Sequence, residues 1–240
     1  LSGLLGFGMF GFACFAQGVS AAFCYQGTPD KQTTNVYIQN YLYPDATCAA
    51  VSPVGYKYPI RNARELNWVS YMVSTQRWTF QGCTIEIVND IDFSNTEFVP
   101  IGTYCTCFQG TINGNGHWIK NLTLNYPGYY GISVVGYLGD YGVVRNLNVA
   151  SSCRFTGYGT VGGLVACNAG WVEHCSSAAQ LFALTDFVGG IAGYNAPKGK
   201  VRDCEVCLFS NRSSGAGRKV GLFIGDNYGK KAVHCRTYMF

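Results

Sequence analysis

The sequence predicts an all-β protein, a parallel β-helix (solenoid) with one short N-terminal capping helix. A glycine-rich phrase occurs three times, as VGGLVACN from Val161, VGGIAGYN from Val188 and VGLFIGDN from Val220. A second phrase, an aliphatic residue followed by two polar residues and an apolar one, begins at Ile119, Val144, Val172 and Val201. These four residues are 25, 28 and 29 positions apart. Units of this length hold several short strands but no helix, and they match one coil of a β-helix, about 20–30 residues.

The composition agrees with many short strands and tight turns. The 240 residues are 12% charged and 15% aromatic, and 31 of them are glycine. Disorder is excluded, because it requires low hydrophobicity and high charge. From Ala196 onward there are nine Lys or Arg against three Asp or Glu. This basic end is interpreted either as a solvated surface or as one that faces phosphate or anionic glycans, and no nucleic-acid motif accompanies it.

The 12 cysteines favour disulfides in a secreted or surface protein. The pairs Cys204–Cys207 and Cys105–Cys107 have no second pair at the spacing of a zinc site. Two sequons predict N-glycosylation at Asn121 and Asn211.

Residues 1–58 are predicted to form an apolar and Tyr-rich assembly region, and 59–240 the solenoid. No charged residue precedes Asp30, which allows three interpretations. They are a signal peptide cleaved near Val19-Ser20-Ala21-Ala22, a membrane span, and an apolar surface that packs on its own core or on a neighbouring copy. The third is favoured, with Leu1 as a processed mature end. Its predicted assembly residues are Leu4, Leu5, Phe7, Phe10, Phe12 and Phe15.

One helix is predicted, over about 63–75. Asn62 can cap it, and Leu66, Val69, Ser70 and Val73 follow helical spacing. In TIEIVNDIDF, Ile85 and Ile87 share one face of a strand.

Residues of successive coils are expected to stack about 4.8 Å apart in columns. One inner column is predicted as Leu164, Ile191 and Leu222, beside glycines that turn the chain at φ values other residues avoid. A second is predicted as Leu122, Leu147, Cys175 and Cys204. An outer column is predicted as Lys120, Arg145, Glu173 and Arg202, whose last three members alternate in charge.

These residues resemble the GLUG-repeat family, named for a Gly-Leu-apolar-Gly core. The core is represented by GLVA at 163–166, GIAG at 190–193 and GLFI at 221–224, and only the middle copy ends in glycine. The upstream segments ARELNWVSYMV, TIEIVNDIDF, FVPIGT and FQGTINGNGHWIKNLTL extend the resemblance, which covers 59–237. It implies a right-handed parallel β-helix outside the cell, in a family of surface and secreted proteins where such repeats are stalks or binding modules.

Few side chains suggest chemistry. Asp90 and Asp92 lie two residues apart, as a catalytic pair or as parts of a structural turn, and the turn is favoured. His174 and His234 near Asp203 allow a loose metal site, although solvent-facing histidines are favoured. Trp118, Trp171 and Tyr194 are candidates for stacking on glycans. No catalytic residue, metal or cofactor is predicted.

The sequence therefore favours an extracellular structural protein that self-assembles head to tail into a filament. Its partner is itself, and membrane contact through the N-terminal segment stays open. A glycan-binding surface adhesin is the alternative, and a glycan-active β-helix enzyme is the third hypothesis.

Overall fold

The computed structural model describes residues 55–207, 211–213 and 219–238. Within them lie one helix, α1 (Ala63–Ser74), and 23 strands. The strands are β1 (Lys57–Ile60), β2 (Thr84–Ile87), β3 (Ile91–Asp92), β4 (Thr111–Asn113), β5 (Trp118–Lys120), β6 (Thr123–Tyr126), β7 (Val135–Leu138), β8 (Val143–Arg145), β9 (Asn148–Val149), β10 (Arg154–Gly157), β11 (Val161–Gly162), β12 (Val165–Asn168), β13 (Trp171–Glu173), β14 (Ser176–Ser177), β15 (Gln180–Ala183), β16 (Phe187–Gly189), β17 (Ala192–Asn195), β18 (Lys200–Arg202), β19 (Glu205–Cys207), β20 (Asn211–Ser213), β21 (Lys219–Gly221), β22 (Ile224–Asn227) and β23 (Arg236–Tyr238).

The strands form five parallel sheets. Sheet 1 has the order β1-β2-β4-β8-β13-β18, and sheet 2 the order β3-β5-β9-β14-β19-β23. Sheet 3 is β6-β10-β15-β20, sheet 4 is β11-β16-β21 and sheet 5 is β7-β12-β17-β22. From β8 onward the chain visits sheets 1 to 5 in turn and then returns to sheet 1 one step further along. This route is a β-solenoid of about six turns, which confirms the predicted fold class.

Aliphatic residues in register build the core. Ile112, Val144, Val172 and Val201 pair in sequence along sheet 1, and all four are buried. Because neighbouring side chains along a strand point to opposite faces, every second residue of these short strands faces inward. Each coil contributes only a few short strands. Its inward-facing apolar residues pack against those of the next coil, and together they form one continuous core.

Helix α1 closes the N-terminal end of the described solenoid. The Asn62 side chain accepts a hydrogen bond from the Glu65 backbone N–H at 3.0 Å, as the sequence predicts for its N-cap. Leu66 and Val69 are buried, and the Ser70 hydroxyl donates to the carbonyl of Val99 at 2.7 Å. The predicted helix is confirmed, one residue shorter at its C-terminus.

The predicted columns need three corrections. Val188 pairs with Val220 and Ala192 with Ile224, so Phe223 and not Leu222 follows Ile191. Leu222 is exposed.

Leu122 and Lys120 also leave their predicted columns. Ile119 pairs with Val149 in sheet 2, whereas Val144 lies in sheet 1, so the phrase at Ile119 belongs to a different side of the coil. The ladder of Arg145, Glu173 and Arg202 is confirmed.

The repeated positions require glycine because they leave no space for a side chain, and not because their φ angles are positive. Gly163 and Gly190 are absent from the glycines with positive φ. A Cβ on Gly163 would overlap the carbonyl oxygen of Gly190, and a Cβ on Gly190 would overlap that of Leu222. Leu222 takes the same place in the last described coil, where no further described coil crowds it.

An asparagine ladder crosses three coils in sheet 5. Asn168, Asn195 and Asn227 pair in register, and each amide donates to the next amide oxygen at 2.8 Å. Asn168 and Asn195 are fully buried. Their amides also satisfy backbone groups of the following turns, among them the N–H of Gly170 and the carbonyl of Gly199. Buried amides of this kind stabilise a fold only when all their groups are paired.

Candidate functional site

The last described coil, 219–238, exposes apolar side chains that earlier coils bury. Val161, Val188 and Val220 form one column, and their exposed fractions are 0%, 0% and 49%. Val161 and Val188 have a neighbouring coil on each side, whereas Val220 has a described coil on one side only. Leu222 and Tyr228 are also exposed, although they follow the buried Gly190 and Ala196 in register. Val233 and Tyr238 are exposed on the outer face of the coil, as their partners Arg202 and Cys207 are at least partly exposed too. We call Val220, Leu222 and Tyr228 the apolar edge.

The same coil also presents the edges of three strands. Among the described residues β21, β22 and β23 are each the outermost strand of their sheets. Parallel strands at a sheet edge present backbone N–H and C=O groups that can pair with another strand. The coil is therefore a surface on which a further segment of chain can dock.

The opposite end differs, because α1 and an aromatic cluster cover it. Trp68 of α1 lies 5.8 Å from Phe80 and 5.8 Å from Tyr58 of β1 between ring centroids. Trp78 stacks on Phe80 at 4.2 Å. The two ends of the described solenoid thus present unlike surfaces.

Asp90 and Asp92 both accept hydrogen bonds from the next coil. Asp90 accepts hydrogen bonds from Lys120 Nζ at 2.6 Å and from the Trp118 backbone N–H at 2.9 Å. These bonds, with a smaller one from His117, lower the pKa of Asp90 to about 2. Asp92 accepts from Ser94 and Asn121, which lower its pKa. Two carboxylates that both stay ionised lack the separated pKa values of an acid and base pair.

A column of left-handed residues forms the corner between sheets 1 and 2. Asn146, His174, Asp203 and His234 have φ of 53°, 52°, 51° and 54°. Asp203 lies 3.9 Å from His174 Nε2 and 3.4 Å from His234 Nδ1. No group of three or more metal-ligating side chains occurs within the described ranges.

The three aromatic candidates lie on three different sheets. Trp118 belongs to sheet 2, Trp171 to sheet 1 and Tyr194 to sheet 5. Trp118 and Trp171 are partly exposed, whereas Tyr194 is buried. They do not line one common groove, so any stacking on a sugar falls to Trp118 or Trp171 separately.

Several predicted residues stay untested. Leu4, Leu5, Phe7, Phe10, Phe12 and Phe15 lie outside the described residues. Asn211 begins β20, and Asn121 lies at an exposed turn with φ of 57°, where its amide donates to Asp92 at 3.0 Å. Glycosylation at both positions remains a prediction.

Three cysteines form a column, of which Cys175 and Cys204 were predicted from the sequence and Cys235 was not. Ser176 pairs with Glu205 and Glu205 with Arg236, so Cys175, Cys204 and Cys235 occupy one column just before them. All three are free thiols, and Cys175 and Cys204 are buried. Cys207 lies on the opposite side of its strand from the buried Val206, so Cys204 and Cys207 do not face each other. The predicted disulfides remain a prediction.

The asparagine ladder and the residues of the apolar edge were not predicted from the sequence. Asn168, Asn195 and Asn227 end the three glycine-rich phrases at the same position, and this was a readable signal. The apolar edge had no such signal, because its residues are of the same types that earlier coils bury.

No family model matches the chain. The GLUG resemblance therefore remains a prediction. The fold defines the class of protein as a parallel β-solenoid. Sequence comparison finds two relatives that match part of this chain. Halomucin of Haloquadratum walsbyi is 32% identical over 117 residues, which is 45% of this chain and 1% of that protein. A protein of Evansella cellulosilytica, provisionally named as a Gly-rich membrane protein, is 29% identical over 86 residues, 33% of this chain and 10% of the relative.

The chain thus spans only a small part of the relatives it matches. One solved structure, a provisionally assigned immunoglobulin A1 protease from Bacteroides ovatus, is 13% identical with a TM-score of 0.29, over 81% of this chain and 88% of that one. Because this TM-score is low, the comparison does not support the fold. The fold is shown by the strand pairings of the chain itself. In the described part of the chain, no helix is both long and apolar enough to cross a membrane.

Proposed function

We propose that the chain is a structural protein of the cell surface or of secreted material, whose solenoids join head to tail into filaments. The apolar edge is the observation that supports this most, because Val220 is half exposed where its register partner Val188 is buried. The surface setting is supported by the relatives named Halomucin and Gly-rich membrane protein.

The proposed occupant of the apolar edge is the N-terminal segment 1–24 of the next copy. Its predicted assembly residues, from Leu4 to Phe15, are apolar and match the apolar edge in character. A second coil of the same kind would fit poorly, because Leu222 stands where stacking requires glycine. Contact between two unlike surfaces continues from copy to copy and gives an open filament.

The proposal assigns no reaction to the chain. The carboxylates of Asp90 and Asp92 accept hydrogen bonds from Lys120 and Asn121 of the next coil, and Asp92 also accepts one from Ser94 in its own turn. The alternative of a glycan-binding module is supported by Trp171, which is 36% exposed on a polar sheet face.

Negative-stain electron microscopy of the full chain beside a form lacking 1–24 tests the proposal. We expect thin filaments from the first and single particles from the second. The variant Val220→Asp should also abolish filaments, since it places a charge in the joint.

Val88→Asp is the matched control, because Val88 is an exposed valine far from the apolar edge. Circular dichroism of both variants shows whether they fold. Single particles from the full chain, or filaments that persist in both the truncated form and Val220→Asp, would show that the head-to-tail joint is wrong.

A further inference from the structure

Positive charges crowd the C-terminal end of sheet 1. Lys200 pairs with Trp171 in register on the outer face of β13 and β18. The backbone N–H of Lys230 donates to the carbonyl of Gly199 at 3.2 Å, and that of Val233 to Val201 at 3.1 Å. Residues 230–233 therefore run beside Lys200–Arg202. This places Lys230 and Lys231, both exposed, next to Lys200.

These three lysines have no carboxylate partner among the described residues, although other cations nearby do. Arg202 pairs with Glu173 at 2.7 Å, Lys198 with Asp140 at 2.6 Å, and Lys219 with Asp226 at 2.8 Å. Like charges on neighbouring strands destabilise a sheet. A bound anion would offset this repulsion, so the arrangement suits a negatively charged ligand.

An exposed aromatic ring borders the lysines. The Lys200 ammonium lies 3.7 Å from the centre of the Trp171 ring, and the Arg202 guanidinium lies 5.5 Å from it. A cation over a ring face is held there by the ring quadrupole. The Lys200 ammonium occupies one face of the Trp171 ring, so a sugar ring would stack on the part that Lys200 leaves exposed, with its carboxylate beside Lys200.

We propose that Trp171, Lys200, Lys230 and Lys231 form a binding surface for an acidic polysaccharide. Duplex nucleic acid is less suited, since its affinity at physiological salt depends on many phosphate contacts. Single-stranded nucleic acid is bound on several aromatic platforms, whereas Trp171 is the one aromatic ring among the four residues of this surface. The proposal holds whether or not the chain assembles into filaments.

Biolayer interferometry of the full chain on immobilised alginate, a polymer of uronic acids, tests the site. We expect binding that weakens with NaCl and no binding to neutral dextran. The variant K200Q/K230Q/K231Q should weaken binding about 10-fold, since it removes three positive charges that would pair with carboxylates of the ligand. Trp171→Ala should weaken binding several-fold and leave its salt dependence unchanged, because it removes a ring and no charge.

The matched control is K57Q/R64Q/R154Q, which removes three exposed cations elsewhere and should bind within 2-fold of the parent, as expected for charges outside the site. Equal losses in the two triple variants would overturn the proposal, as would unchanged binding in K200Q/K230Q/K231Q. Equal or tighter binding of duplex DNA, or of phosphatidylserine vesicles, through the same lysines would also overturn it in favour of a general cationic surface.

Discussion

The side-chain amide of Asn168 donates to the amide oxygen of Asn195 at 2.8 Å, and both side chains are fully buried. Asn195 in turn donates to Asn227 and to the carbonyl of Gly199. One amide therefore links three coils and one turn. Asn195, at the centre, is the most important residue of this network, because its removal would leave Asn168 and Asn227 without their partner.

Replacing Asn195 with alanine should lower the stability of the solenoid by about 2–4 kcal/mol, since buried donors and acceptors of Asn168 and Gly199 lose their partners. The thermal unfolding midpoint measures this loss. Asn227→Ala is the matched control, because Asn227 is exposed at the end of the ladder. A loss at Asn227 equal to that at Asn195 would contradict the importance of the buried position.

Gly163→Ala should destabilise the protein by about 1–3 kcal/mol or more, since the new methyl group would overlap the carbonyl of Gly190. Gly128→Ala is the control, because a Cβ there meets no atom within 4 Å and should change stability by less than about 0.5 kcal/mol. Chemical denaturation of both variants measures the difference. Similar midpoints for the two would show that the coils can separate to admit a side chain.

Asp90 should contribute a pH-dependent share of the stability. Its folded pKa of about 2 lies below the value of about 3.9 for an unfolded chain, mainly because Lys120 and the Trp118 N–H bind the carboxylate. The contribution is complete above about pH 4 and disappears as the pH falls toward 2. It is small, because the carboxylate is partly exposed and salt screens it.

The measurement is the thermal midpoint of the parent and of Asp90→Asn across this pH window. The parent should lose stability with acid more steeply than Asp90→Asn. Glu97→Gln removes the same charge from an exposed residue and is the control for the loss of one negative charge. A slope that Asp90→Asn does not reduce would rule out this role for Asp90.

Cys204 should react with iodoacetamide at least 10-fold more slowly than Cys207 in the native protein. The neighbouring Cys175 thiol and burial raise the pKa of Cys204 far above its usual range, and the thiolate is the reactive form. Cys207 is only half-buried. Mass spectrometry of digested protein after timed alkylation gives both rates, and unfolding in guanidinium should equalise them. Equal rates in the native state would place Cys204 outside the core.

The sequence predicts the coils well where their columns coincide with its repeated phrases. Val172 and Val201, 29 residues apart, carry the same phrase and do pair. Ile119 carries the phrase too, but it lies on sheet 2, since an aliphatic residue before a polar corner recurs at more than one side of a coil. Composition specifies that a residue is inward, and only register specifies which column it joins.

Register is hard to predict because the coils differ in length. Val161 and Val188 are 27 residues apart, whereas Val188 and Val220 are 32 apart. The extra residues let Gly221 be aligned with either glycine of the earlier phrase, and the wrong choice placed Leu222 in the core. The lysines beside Trp171 were predicted only as a basic end, since their neighbourhood depends on how the chain at 230–233 meets β18.

The register also determines how the protein responds to a pulling force. Each coil is bonded only to the coil before it and the coil after it. Tension applied to the C-terminal end would therefore peel the solenoid one coil at a time. Each event would release the 27 to 32 residues between paired valines, or about 9–11 nm of extended chain. A rod of this design yields in steps and dissipates energy gradually.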